Sequence, residues 1–324
     1  MSPARGLVGD IGGTHARFAL AEADGGRPVL QGEKTLVNAE HASAEAAIEA
    51  YLAGAGGPRP ERVVLAVAGP VTDGAIHFTN SDWRLSEARL RTHGGFRAAR
   101  LVNDFAAQAL GAPHLAGDNE LRRIGPAAAG AADAPIAVMG PGTGFGLGAL
   151  VREGGAEAVV STEGGHVSFA PGDELEVEIW RLFARRHGRV SIERLLSGPG
   201  LYEIYGAMAE IGGAKAALAD EREVQGAAAG GDPLAAATVD RFCRILGGAA
   251  GDFALALGAR GGVYISGGVA ERLADPIASG GFRDRFEAKG RFLDYMRAIP
   301  TWLVRERYTA LIGAARLLSR LEAP

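Results

Sequence analysis

Lysine is nearly missing from this chain. Of 34 basic residues three are lysines, Lys34, Lys215 and Lys289, which leaves 31 arginines. None of the three sits in a Gly-Lys-Ser/Thr string or in a V-A-I-K context, so a Walker A loop and a protein-kinase-like site are both excluded. Cysteine is rarer still. With Cys243 alone, no intrachain disulfide and no cysteine-rich zinc site can form. Long apolar runs are also lacking: the longest uncharged stretch, Ala134 to Val151, is broken by Pro135, Pro141 and five glycines, whereas a membrane span needs about 20 apolar residues. No signal-peptide-like core precedes the apolar pattern that begins by Leu7. The net charge of −4 carries no basic excess, which argues against coating a nucleic acid. Together these absences lead us to expect a cytoplasmic protein with neither a membrane nor a nucleic acid as partner.

What is present is an ordinary globular composition, 47% apolar and 22% charged, over 324 residues. At about 150 residues per domain this predicts two domains. Glycine is in excess, 49 residues scattered through short loops, which points to close backbone approach to something. The first block reads as strands followed by alternating helices and strands. Gly6–Ile11 and His15–Ala21 flank a Gly-Gly turn, with a third strand near Val29–Leu36. Ser43 and Ser86 stand where helix N-caps are expected. Arg62–Ala68 and Arg100–Asn103 are β-rich, and the second runs straight into a helical pattern, Phe105–Leu110. The class is therefore α/β. After a loop-like stretch, Asp118–Pro135, a second block opens with Ile136–Met139, a Gly-rich loop and Leu147–Val151. Helices follow near Glu174–His187, Gly200–Met208 and Pro233–Leu257, then a strand at Gly262–Ser266, a strand at Thr301–Val304 and a helix at Thr309–Leu318. Leu7–Leu20 laid on Ala137–Leu150 matches at Val8/Val138, Gly12/Gly142, Ala19/Ala149 and Leu20/Leu150. Each segment is strand, Gly-rich loop, strand, and each opens its block, which suggests two related domains presenting loops to a shared cleft.

Five groups of residues carry possible chemistry. Gly9-Asp10-Ile11-Gly12-Gly13-Thr14 ends an apolar strand; its backbone N–H groups and the Thr14 hydroxyl can meet phosphate oxygens, while Asp10 can hold Mg²⁺ through water. The same string also serves as a tight hairpin turn. Gly142-Thr143-Gly144 offers the equivalent chemistry from the second block, with a flexible hairpin as its plain alternative. Asn103-Asp104 ends a strand and begins a helix. Asp104 is there either an N-cap or a carboxylate at the carboxyl edge of a sheet, where a base can take the proton of an attacking hydroxyl. Glu163 and His166 share one glycine-rich turn without the further ligands a metal needs, and their mixed acceptors and donors suit a polyol. Glu193 is either part of that set or a first-turn dipole partner of its own helix. Gly267-Gly268 lies between strand and helix, where a flat base or plain αβ packing fits equally.

Taken together, GDIGGTHARFAL, LVNDFAAQALG, GPGTGFGLGAL, EGGHVSFAP, ERLLSGPGLYEIY and GGVYISGGV resemble the bacterial glucokinase family of the actin-like, hexokinase-type ATPase superfamily, in the family's order and over nearly the whole chain. The resemblance implies a two-domain actin-like ATPase (ribonuclease H-like) fold, with a cleft between a small domain (1–111 plus 301–324) and a large one (112–300). It also implies phosphorylation of D-glucose at the 6-hydroxyl by ATP with Mg²⁺, at the entry of glycolysis, by a protein that is commonly a homodimer. The family's sugar-contacting residues correspond to Asn103, Asp104, Glu163, His166 and Glu193, with Asp104 as general base, and its nucleotide loop to Gly9–Thr14. One departure is His15, where the family usually carries Asn. The alternatives are another hexose kinase acting on mannose or fructose, or using polyphosphate, and an actin-like ATPase or sugar sensor without kinase activity.

Overall fold

The computed structural model describes residues 4–78 and 83–321. The chain divides into two compact units, Met1–Ala116 with Val159–Thr162 and Glu306–Pro324, and Gly117–Ala158 with Glu163–Arg305.

The first unit is built on a five-stranded sheet. Strands β1 (Ala4–Ile11), β2 (His15–Ala23) and β3 (Val29–Val37) are antiparallel; β4 (Arg62–Val67) and, after the small hairpin β5 (Ala75–His77) and β6 (Arg84–Ser86), β7 (Ala98–Asn103) join in parallel to give the order β3-β2-β1-β4-β7. Alternation along the strands sends two sets of side chains to opposite faces. One face carries large groups, Leu7, Ile11, Phe18 and Leu65 among them, and is covered by helix α1 (Ala44–Ala55), capped by Ser43 as expected. The short helix α2 (Glu87–Thr92) is capped by Ser86. The other face is small, with Val8, Ala19 and Ala66, and is covered by α3 (Asp104–Gly111) and the C-terminal helix Thr309–Leu318. Those two helices cross at glycines. A Cβ on Gly313 would collide with the carbonyl oxygen of Ala107, and one on Gly111 with that of Thr309.

A six-stranded sheet, β8 (Leu121–Ile124), β9 (Ile136–Pro141), β10 (Phe145–Glu153), β11 (Ala156–Thr162), β12 (Gly262–Ile265) and β13 (Thr301–Val304), in the order β11-β10-β9-β12-β13-β8, belongs to the second unit except for Val159–Thr162 of its edge strand β11, which are assigned to the first. Apart from β8 this repeats the order of the first sheet, so the faint sequence repeat has a structural meaning. The turn residues Gly12–Thr14 and Gly142–Gly144 fall in register, and each lies between antiparallel strands. Around this sheet pack α4 (Glu174–His187), α5 (Ile192–Leu195), α6 (Gly198–Ile211), α7 (Glu221–Ala229) and the 25-residue α8 (Pro233–Leu257). Asp232 caps α8, Pro233 opens it, and Gly258 ends it in the left-handed conformation. The fully buried Glu176 on α4 receives Arg241 of α8 at 3.0 Å and Arg285 at 3.1 Å, a charged tie between helices.

Two expectations are corrected. The stretch 118–135 is not all loop: β8 forms there because Thr301–Val304 supplies an antiparallel partner some 180 residues away in sequence. For the same reason Thr301–Val304 belongs with the second unit, where β13 also pairs with β12, and the chain returns to the first unit at Glu306 rather than at 301. No helix of the described residues is long and apolar enough to cross a membrane.

Candidate functional site

In the first unit the candidate residues gather at the carboxyl ends of β1 and β7. Asp10 stands opposite Arg17 across the β1–β2 hairpin, and Arg17 Nη1 donates to Asp10 Oδ2 at 3.0 Å. Burial pushes the Asp10 carboxyl above its ordinary range, and the Arg17 guanidinium offsets part of that. Gly9 and Ile11, expected in the nucleotide loop, prove to be core residues. Both are laddered to β2 and β4, and a Cβ on Gly9 would press on Leu65 and Phe18. What remains at the surface is Gly12–Thr14. That turn is closed by Gly12 N–H donating to the His15 carbonyl at 3.0 Å, and it is clamped from outside by Asn38. The Asn38 backbone N–H donates to the Thr14 carbonyl at 2.9 Å and its Nδ2 to the Gly12 carbonyl at 2.8 Å, while Oδ1 is buried without a hydrogen-bond partner among the described residues. Sequence reasoning missed both Arg17 and Asn38. Arg17 was accessible, since a hairpin pairing Ile11 with Ala16 puts 10 opposite 17; Asn38 had no local signal.

The β7–α3 junction settles which residue is the cap. Asn103, not Asp104, is the N-cap of α3: its Oδ1 accepts from Phe105 N–H at 3.0 Å and Ala106 N–H at 3.1 Å, and its Nδ2 donates to the Gly69 carbonyl at 3.3 Å. Asn103 is buried and most of its amide is engaged in holding the junction, which leaves one amide hydrogen. Asp104 is thereby released from capping duty by its neighbour. It is the first residue of α3, half-buried, with Oδ1 accepting from Phe105 N–H at 2.9 Å.

In the second unit three glycine-rich loops touch one another. Gly140 lies against the Ser266 carbonyl, Gly267 takes φ 103° where a Cβ would press on the Pro141 carbonyl, and Gly165 lies against the Phe145 carbonyl. These glycines are packing glycines. Gly142, in contrast, has open space where a Cβ would be; Thr143 and Gly268 are exposed. The loop is tethered by Gly198 N–H donating to the Gly142 carbonyl at 2.9 Å.

Glu193 reaches the Glu163–His166 turn, although it is distant in sequence, because Val167–Phe169 runs against Val190–Ile192. Phe169 N–H donates to the Val190 carbonyl and Ile192 N–H to the Val167 carbonyl, both at 3.0 Å, with a bridge between Ser168 and Ser191. Ser191 then caps α5 and presents Glu193, whose Oε1 lies 3.9 Å from His166 Nδ1. Arg189, which the sequence reading did not single out, donates to the His166 carbonyl at 2.5 Å. Glu163 and His166 are exposed, free to meet a solute. Among the described residues no group of three His, Cys, Asp or Glu could hold a metal ion.

A family model described as Glucokinase matches residues 7–321. The chain belongs to the glucokinase family. It is 54% identical to the glucokinase of Caulobacter sp. (strain K31), over 96% of this chain and 94% of that one. Against the glucokinase of Chromohalobacter salexigens the identity is 44%, over 98% of each. A solved glucokinase from an Antarctic psychrotroph superposes with a TM-score of 0.89 at 39% identity, covering 98% of this chain and 99% of that chain. A ROK-family glucokinase from Streptomyces griseus, solved in complex with glucose and AMPPNP, superposes at 0.65 with 21% identity, covering 98% and 99%, and shares the fold. The chain thus has the two-domain actin-like ATPase fold, and as a glucokinase-family enzyme it is an ATP-dependent hexose phosphotransferase. The resemblance read from the six strings is borne out.

Proposed function

We propose that the enzyme transfers the γ-phosphoryl group of ATP to the 6-hydroxyl of D-glucose with Asp104 as general base. The observation that carries this reading is the β7–α3 junction: Asn103 is the N-cap of the helix, and the half-buried Asp104 carboxylate stands at the first helical position, at the carboxyl ends of the parallel strands β1, β4 and β7. As the O6–phosphorus bond forms and the bond to the departing ADP oxygen breaks, Asp104 takes the proton of O6–H. Glu163, His166 and Glu193 suit the remaining sugar hydroxyls, the carboxylates as acceptors and the imidazole in either role. Asn103 acts chiefly by fixing Asp104, with one amide hydrogen left for the sugar. Gly13 and Thr14 from one unit and Thr143 and Gly144 from the other supply backbone and hydroxyl donors for the triphosphate, while Gly12 and Gly142 use their own N–H groups to close the two turns, and the exposed Gly268 offers a surface for the base, with Gly267 packed behind it.

With three lysines and none in a phosphate-binding string, charge in the transition state falls to such donors, which phosphoryl transfer allows because positioning and electrostatics dominate it. Asp10 fits a role toward Mg²⁺, since it is a largely buried carboxylate whose pKa burial raises even with Arg17 beside it, so a further positive charge there would stabilise its ionised form. Mg²⁺ held there, through water, would supply neutralisation of the triphosphate. We further assign the enzyme to the cytoplasm, to the entry of glycolysis and to a homodimeric state.

The test is ADP release measured with glucose, mannose, fructose or no sugar, with ATP or polyphosphate as donor. Glucose and ATP should give the highest kcat/KM, and ADP release without sugar should be negligible. Asp104→Asn should lower kcat by about 10²- to 10⁴-fold with glucose binding retained in part. Near-normal turnover in that variant would remove Asp104 from the chemistry.

A further inference from the structure

Glu193 makes one contact that neither the sugar assignment nor the nucleotide assignment uses. Its Oε2 accepts from the backbone N–H of Phe145 at 2.8 Å, at the end of the Gly142–Gly144 loop, while its Oε1 faces His166. The carboxylate lies directly over Gly144, where a Cβ would collide with Oε2. Gly144 is not among the glycines with positive φ, so its backbone would admit alanine. Conformational freedom is therefore not why glycine stands there. The side chain that would be displaced is the carboxylate.

We propose that Glu193 is a positioning link between the sugar and the nucleotide loop, and that Gly144 is glycine to leave room for it. One oxygen anchors the loop through Phe145 N–H and the other is directed to the sugar side, so a hexose that orders Glu193 also orders Gly142–Gly144. This rests on the assignment of Glu193 to the sugar and of 142–144 to the nucleotide. By linkage, glucose must tighten nucleotide binding by the same factor as nucleotide tightens glucose.

The experiment measures, on the full chain, the Kd of glucose and the Kd of AMPPNP with and without saturating glucose. Hydrogen exchange over residues 142–147 and thermal melting are followed in the same samples. The wild type should show coupling of about 5-fold or more. In Gly144→Ala the coupling should fall to near 1, glucose affinity should drop roughly tenfold as for loss of one charged hydrogen bond, exchange at the Phe145 amide should accelerate, and melting should be little changed because only a flexible carboxylate is displaced. Glu193→Ala should do the same, and adding Gly144→Ala to it should change nothing more. Glu193→Gln, which keeps an acceptor for Phe145 N–H, should retain the coupling, and it carries the test if Gly144→Ala does not fold. Wild-type coupling and exchange in Gly144→Ala, beside a Glu193→Ala enzyme that has lost both, would overturn the proposal. So would a Gln variant uncoupled to the level of Ala. Unchanged glucose affinity in Glu193→Ala would instead overturn the sugar assignment on which the link rests.

Discussion

Arg17 carries a larger part than a surface arginine usually does. Its side chain is 36% exposed, but its partner Asp10 is 15% exposed and its carboxyl is pushed up by burial. Removing one member of a deeply buried pair costs about 3–5 kcal/mol; with a partner this exposed, about 1–3 kcal/mol is expected for Arg17→Met. The pH dependence has a definite sign. Loss of Arg17 removes a cause that lowers the Asp10 pKa, so the folded value moves further above the unfolded one. The variant's native state then holds the proton more tightly than the wild type's, and the deficit relative to the wild type opens as pH rises above the wild type's own, already raised, Asp10 pKa. Melting curves of variant and wild type without nucleotide should therefore lie apart at pH 7.5 and approach each other on acidification; a constant gap would assign the loss to packing. At this scale the sequence was a good guide to which residue types matter and a poor one to their partners. It named Asp104 but left its role open between cap and base, because one residue decides whether Asn103 or Asp104 is the cap. The partners it missed, Asn38 and Arg189, are supplied by chain distant in sequence.

Elements were legible where they are long and periodic. α4, α8 and the C-terminal helix fall at the expected residues, since each carries a cap or an amphipathic period of its own. β8 was not, because Leu121–Ile124 is four residues with two arginines and becomes a strand through its partner alone. The crossing of α3 with the C-terminal helix gives the sharpest test at this scale. Gly313 and Gly111 each meet the other helix's backbone, which cannot swing aside as a side chain does. Gly313→Ala should force the helices apart at a loss of about 1–3 kcal/mol, as for overpacked cores, with a lower Tm. Because α3 begins at Asp104, kcat should fall with it while the AMPPNP affinity of the second unit's loop changes less. A variant as stable and active as wild type would show that the crossing is looser than drawn.

For the molecule as a whole, the repeated strand order explains why the Gly-rich turns at 12–14 and 142–144 looked alike in sequence. Division into two units was also legible; the exact return point was not, because it depends on which sheet claims Thr301–Val304. The proposed reaction asks residues of both units to serve one sugar. Saturating glucose should then slow hydrogen exchange around Asn103–Phe105 in the first unit and around Glu163–Val167 and Ser191–Arg194 in the second. Protection confined to one unit would mean that the sugar is held there alone. The C-terminal helix has a last consequence, for the chain as it leaves the ribosome. The first unit needs Thr309–Leu318 to cover one face of its sheet, yet about 200 residues separate that helix from the end of α3. At roughly 5–20 residues per second the gap lasts on the order of 10–40 s, so the domain begun first is finished last, against the usual N-terminal-first order. The face that waits is the alanine-rich one, with Ala19 and Ala66 on the sheet and Ala106 and Ala107 on α3, while Phe18 and Leu65 of the other face can be buried against Ile48 and Tyr51 of α1 within the first 70 residues made. The stickier surface is hidden early, and the one left bare during synthesis has the least to offer an aggregating neighbour.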